Sequence, residues 1–259
     1  MTIEVCKTSL AEIQGLRDIY RHEMQCQIMF DSLHERPGWT QSYVITIDAA
    51  PVGHGAVTFG GPWKDNPTIF EFFVLPPYRQ QMFNLFAAFV GAAGTRRVET
   101  QTNRTQLAVL AQTFCDNLTA EAILFEDRFT TSLQVPGATL RENTRSDAAA
   151  IFAAKLDEGA QWLLELEGNI VATGGILYHY NRPYGDIYMA VAEAHRRRGV
   201  GAYLVQELKR VCYEGGSVPA ARCNVDNAAS RATLQKAGFV PCGNIVFGTL
   251  SEAFMTIRR

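Results

Sequence analysis

HRRRGVGAYL, residues 195–204, sets three arginines against two glycines and runs directly into a helical pattern. Upstream, IYMAV (187–191) reads as an apolar strand. Downstream, Leu204, Val205, Leu208, Val211 and Cys212 recur on one helical face until Gly215-Gly216. Gly199 and Gly201 fall in the first turn, so no side chain shields the free backbone N–H groups there, and the helix dipole favours an anion such as a diphosphate. The same residues suit a plainer arrangement, in which the glycines let the helix approach a strand and the arginines form a solvated face. Spacing alone divides evenly between these two and puts a nucleic-acid patch of three arginines third. A dinucleotide fingerprint needs a third glycine where Leu204 stands, and a Walker loop needs Gly-Lys-Ser/Thr, which is absent.

Working outward, the chain repeats itself. SYVITIDAAPVGHGAVTF (42–59) lies on QWLLELEGNIVATGGILY (161–178) without a gap: an alternating strand with Tyr43 or Trp162 in second place, an acid (Asp48, Glu167), a two-residue turn, and a strand interrupted by Gly55 or Gly174. IFEFFVLPPYR then matches DIYMAVAEAHR, ending on Arg79 and Arg196. Each half continues with a helical stretch, a strand leading to Asn103 or Asn227, and another helical stretch. A turn signal at Pro136-Gly137 predicts two domains, 1–136 and 137–259.

Composition sets the outer limits. With 259 residues, 47% hydrophobic and 19% charged, and a net charge of −2, the chain reads as globular, without a global positive field for nucleic acid or anionic membrane. MTIEVCKTSL lacks a signal-peptide pattern and NLFAAFVGAAG is too short to span a bilayer, so a cytoplasmic protein with no membrane partner is expected. Six cysteines stand singly, read as buried free thiols, and no metal-ligand spacing occurs.

Arg196-Arg197-Arg198-Gly199-Val200-Gly201 resembles the acyl-CoA motif of the GCN5-related N-acetyltransferases (GNAT): Gln or Arg, two residues, Gly, one residue, Gly or Ala. A strand leading to Asn227 and a helix closing on Lys236-Ala237-Gly238-Phe239 add a second family feature, and the resemblance covers about residues 137–251. It implies an α/β (α+β) fold of two tandem GNAT-like domains, each a mixed, largely antiparallel sheet flanked by helices. Acetyl-CoA is the implied co-substrate, with no metal. Backbone groups of Met189, Ala190 and Val191 would meet the pantetheine arm; Arg196, Arg197, Arg198, Gly199, Val200, Gly201 and Ala202 would surround the diphosphate, with Asn227 and Ser230 beside it. Asn227 is equally a good helix N-cap. The family's proton-donating tyrosine is matched by Leu234, so a thiolate of pKa near 8.5 leaves unassisted or with help from elsewhere. The first half reads Arg79-Gln80-Gln81-Met82-Phe83-Asn84 at the motif, a degenerate domain not expected to bind CoA tightly.

The implied reaction is N-acyl transfer: an acetyl group moves from acetyl-CoA to a primary amine of a small molecule or peptide by direct attack on the thioester. An alkylammonium must first lose a proton. Asp186 is the first choice to take it, followed by Tyr188 and Glu165, although a solvated strand face suits Glu165 and Glu167 better. Tyr178, His179 and Tyr180 are also placed where they could reach the cleft, but His179 and His195 are single histidines without a visible partner, for which the ordinary reading is surface or packing. A backbone N–H near Met189 or Ala190 would polarise the carbonyl. The loop HYNRPYGD (179–186) is expected to read the acceptor, opposite a wall built around RHEMQCQIMF (21–30). The competing readings are a non-catalytic acyl-CoA-binding or sensing module and a transferase of another acyl group; the protein is expected to be a monomer or homodimer.

Overall fold

The computed structural model describes residues 2–28 and 31–257, so Met29 and Phe30, at the end of the expected wall, lie outside the described residues. In chain order the elements are β1 Ile3–Thr8, α1 Gln14–Met24, α2 Asp31–His34, β2 Thr40–Ile47, β3 Ala50–Thr58, β4 Thr68–Val74, α3 Met82–Ala93, β5 Arg97–Gln101, α4 Thr105–Phe114, β6 Cys115–Asp127, β7 Ala138–Glu142, α5 Ala148–Ala153, β8 Trp162–Leu166, β9 Asn169–Leu177, β10 Tyr184–Val191, α6 Val200–Glu214, β11 Val218–Asn224, α7 Ala228–Lys236, β12 Phe239–Leu250 and α8 Glu252–Ile257.

Two compact units result, Met1–Ala122 with Gly243–Arg259, and Ile123–Cys242. The expected boundary at 136/137 falls inside the second unit, and residues 243–257 fold with the first. Strand order explains this: in the first unit the strands run β1-β2-β3-β4-β5-β12, and in the second β7-β8-β9-β10-β11-β6. β12 pairs antiparallel with β5, Ile245 opposite Gln101 through Thr249 opposite Arg97.

The repeat is visible in detail. Both hairpins turn through two left-handed residues, Asp48-Ala49 (φ 47° and 65°) and Glu167-Gly168 (φ 51° and 75°), the geometry whose twist suits a two-residue hairpin. Both carry a register shift in the first strand, at Ile45/Thr46 and Leu164/Glu165. The glycine of each second strand lets a helix down onto the sheet. A Cβ on Gly55 would lie 2.5 Å from the Phe89 ring of α3, and one on Gly174 would lie 2.9 Å from Leu208 of α6.

α3 presses Phe86 and Phe89 against Phe72 of β4, with ring centroids 5.1 and 5.9 Å apart. α6 buries Leu204, Val205, Leu208 and Cys212 against Ile187, Val171 and Ile176, each large side chain contributing about 1.5–3 kcal/mol by leaving water. All six cysteines are free, but only Cys212 and Cys223 are buried. Cys6 faces out because β1 alternates.

On its other face the first unit buries ions. Arg17 of α1 meets Glu71 of β4 (Nη2–Oε1 3.0 Å, Nε–Oε2 3.3 Å), and His34 Nε2 and His54 Nε2 lie 3.2 and 3.6 Å from Glu71 Oε2. Burial alone would raise the Glu71 carboxyl; the Arg17 charge, then His34 and His54, hold it well below the ordinary carboxylate range. Burial pushes the His54 imidazole down, with Glu71 opposing in part. Both shifts act in one direction with pH. As pH falls below about 6.5 the unfolded chain gains a proton at His54 that the folded one resists, and below about 4.5 the same holds for Glu71. Stability therefore drops on acidification from pH 7.5 to 5.5. His54→Phe, whose ring would sit between Tyr20 and Phe73, is expected to flatten that drop in calorimetric melts. An unchanged slope would show that the imidazole is no part of it.

Candidate functional site

In the second unit β10 is paired with β9 from Asp186 to Val191, but with β11 only from Tyr184 to Asp186, opposite Val218 to Ala220. The two parallel strands part after that point, and the edge of β10 from Ile187 to Val191 faces the gap. Met189, Ala190 and Val191 are half-buried there.

The chain leaves β10 through a 3-10 turn, Glu193–His195. Arg196, exposed like Arg197 and Arg198, donates from Nε to the Val191 carbonyl at 3.1 Å. Arg197 and Gly199 both have left-handed backbones, φ 61° and 85°. For arginine that conformation costs about 1–2 kcal/mol, and such strain concentrates at working loops. Gly199 is the N-cap of α6, without a side-chain cap. The first intrahelical bond runs from Tyr203 N to Gly199 O, 3.0 Å, so the N–H groups of Val200, Gly201 and Ala202 have no partner within the helix. Val200 and Ala202 pack inward. A Cβ on Gly201 would lie 3.2 Å from both Val191 Cγ2 and Thr233 Cγ2, and the Lys236 ammonium stands 3.8 Å from where a Cβ on Gly199 would be. In the sequence Lys236 stands only as part of the helix-ending motif, and nothing in its spacing points at the α6 start.

The first unit closes the corresponding gap with its own side chains. β4 and β5 pair only at Thr68-Ile69 opposite Arg97-Val98. Beyond that, Val74 N–H donates to Gln106 Oε1 (2.9 Å) while Gln106 Nε2 donates to Val74 O (3.2 Å). Arg104 Nη2 donates to Phe70 O at 2.9 Å. Arg79 Nε donates to Val74 O at 3.1 Å, the same bond that Arg196 makes to Val191. Arg104 is the N-cap of α4, one residue past the Asn103 matched in the repeat, and Asn227 is the N-cap of α7. Two residues further on stand Gln106 and Ala229, so the second unit has no amide at that position to close its gap. Asn227 Oδ1 accepts the Ser230 N–H at 3.0 Å, and the Ser230 hydroxyl bonds the Cys223 thiol.

Asp186 is the last residue of β10 beside β11, at the apex of the gap. By strand alternation it shares a face with Tyr188 and Ala190, opposite the Ile187 side chain packed beneath α6. Its carboxylate is almost buried, Oδ2 2.8 Å from His179 Nε2 and 3.3 Å from Arg222 Nε. Burial, then the Asp186 charge, pushes the Tyr180 hydroxyl well above its ordinary range. The Tyr188 hydroxyl turns away across β9 toward Gly175 and Gln161, and burial raises it. Glu165, on β8, has β9 between it and β10 and bonds Arg141 Nη2 at 2.7 Å; Arg141 also grips Asp147. The structure thus gathers Asp186, His179, Tyr180 and Arg222, and leaves Glu165 apart. In the loop expected to read the acceptor, Tyr180 and Asn181 are buried, while Tyr178 just before it is 63% exposed. Leu234 is buried in the core and has no hydroxyl to offer.

Among the described residues no group of three or more His, Cys, Asp or Glu could hold a metal ion, and no helix is long and apolar enough to cross a membrane.

Residues 124–239 match the model of the acetyltransferase (GNAT) family. No curated protein matches the chain. Among solved structures, an acetyltransferase of the GNAT family from Colwellia psychrerythraea superposes with TM-score 0.73 at 15% identity, over 97% of this chain and 100% of its own. A tandem GNAT protein from the clavulanic acid biosynthesis pathway gives 0.60 at 13% identity, over 95% and 97%. A GCN5-related N-acetyltransferase from Sphaerobacter thermophilus gives 0.59 at 14%, over 95% and 94%.

Proposed function

We propose that this chain, a tandem GNAT-fold protein whose residues 124–239 match the acetyltransferase family, moves an acetyl group from acetyl-CoA to a primary amine of a small molecule or peptide by direct attack on the thioester. The observation that carries the reading is the strand edge of Met189–Val191, left open by β11 and leading to an uncapped, glycine-lined helix start. Extended amides suit such an edge, and a diphosphate suits the free N–H groups of Val200, Gly201 and Ala202. Arg197, Arg198 and Lys236 add positive charge around them. A backbone N–H near Met189 polarises the carbonyl, and the leaving thiolate is weakly basic enough to depart without a donor at Leu234. Of Asp186, Tyr188 and Glu165, Asp186 lies nearest the apex, with Tyr188 turned aside and Glu165 held by Arg141. Asn227 and Ser230 border the site through the start of α7.

The buried Leu234 also favours a second reading, an acyl-CoA-binding module without turnover. Thiol release from acetyl-CoA with a panel of primary amines separates them: steady release supports the transferase, and binding without release supports the sensor. Binding itself has a signature in the intact chain. At a hundredfold excess of acetyl-CoA over its dissociation constant, the occupied unit gains about 2.7 kcal/mol. Hydrogen exchange is expected to slow in residues 123–242 and not in 1–122; equal slowing in both would sink the one-site account.

A further inference from the structure

We propose that His179 is the group that takes the acceptor's proton, and that Asp186 is its positioning residue. The assignment rests on the acyltransfer reading and names the base within it.

Asp186 is poorly suited to act alone, because its carboxylate is almost buried and one oxygen already faces both the His179 imidazole and the Arg222 guanidinium. His179 is the more open member of the pair, with 21% of its side chain exposed against 6% for Asp186. Its two nitrogens differ. Nε2 is buried and lies 2.8 Å from Asp186 Oδ2, a close contact without hydrogen-bond alignment; the carboxylate charge at that distance favours the proton on Nε2 and leaves the lone pair on Nδ1. The Tyr180 ring stands edge-on to the imidazole, 4.8 Å away at 89°, and fixes its plane. A carboxylate behind one nitrogen, an aromatic wall, and a free second nitrogen form the arrangement of an oriented general base. The ionisable groups around the imidazole are Asp186 on β10, Arg222 on β11, Tyr180 on its own loop, and Cys242 beyond Tyr180. Arg222 shares Oδ2, so the carboxylate charge is not His179's alone.

Placement agrees with the role. From Val191, beside the α6 start, to Asp186 at the apex is five residues, about 16 Å at roughly 3.3 Å each, a span that an extended pantetheine arm can cover. The thioester end then lies where β10 and β11 part, next to the dyad. The neutral amine adds to the thioester carbonyl carbon, the C–N bond forms, the C–S bond breaks, and the nitrogen's surplus proton passes to His179 Nδ1. The imidazolium returns it to solvent, and the thiolate takes a proton from solvent to give the free thiol. No donor is needed at Leu234.

The test joins kinetics with a spectrum that needs no variant. Long-range ¹⁵N–¹H spectra of the resting protein should show His179 protonated on Nε2; protonation on Nδ1 would overturn the assignment. With acetyl-CoA and the amine from the panel that releases thiol fastest, His179→Gln should lower kcat by about 100-fold or more. It should also remove the ascending limb of the pH profile, while acetyl-CoA still stabilises the protein as it does the wild type. Asp186→Asn should retain part of the rate, shift that limb and mix the tautomers. A His179→Gln enzyme that keeps the wild-type rate and limb overturns the base assignment alone. A wild type that binds acetyl-CoA yet releases no thiol with any amine overturns the acyltransfer reading, and this assignment falls with it.

Discussion

Replacing Gly201 with valine is expected to weaken acetyl-CoA binding by about 100-fold or more in titration calorimetry, an effect of roughly 3 kcal/mol or above. A Cβ there already meets Val191 Cγ2 and Thr233 Cγ2 at 3.2 Å, and the γ-methyls of valine need more room than either neighbour yields. The first turn of α6 must shift away from the end of β10, and hydrogen bonds from its N–H groups to a charged phosphate, each worth about 1.5–3 kcal/mol, are lost together. Gly199 is a less clean target, since φ 85° makes alanine there cost about 1–2 kcal/mol of folding before any ligand is considered. Met82→Gly, in the degenerate first-half motif, is the control and should leave affinity unchanged. Undiminished affinity in Gly201→Val would remove the helix start from the binding site.

Arg17→Met is expected to destabilise the first unit by about 3–5 kcal/mol, because it leaves the Glu71 carboxylate buried beside two imidazoles without its principal cation. Urea unfolding in a Trp162→Phe background isolates the transition, since Trp39 and Trp63, the other two tryptophans, lie in the first unit. Removing the charge at both positions, Arg17→Met with Glu71→Leu, should recover much of the loss, as apolar replacements of buried ion pairs often do. A loss no greater than that of an ordinary surface change in Arg17→Met would mean that water reaches Glu71.

The hairpins were legible in the sequence because alternation and a two-residue turn leave few other arrangements, and the glycine motif because its neighbours and spacing are strict. The exchange of last strands was not legible. β12 alternates in the same way whichever sheet it joins, and pattern records which face is apolar but not which neighbour is paired. Arg104 and Gln106 were missed for a related reason: long polar residues at a helix start read as solvated, and only tertiary context turns them onto a strand edge. The His179–Asp186 contact spans a loop, and single histidines carry no partner signal. Arg17 and Glu71 are 54 residues apart, which no local pattern connects. Asp186 itself came from the family resemblance, and its partners from the structure.

Gln106 grips Val74 through both ends of one amide, much as a substrate's amide would grip the matching strand edge in the other half. On the proposed reading the first half is therefore expected to be indifferent to acetyl-CoA, its strand edge already occupied by its own side chains. If the second half binds acetyl-CoA as proposed, its rigidity should follow the acetyl-CoA concentration around it.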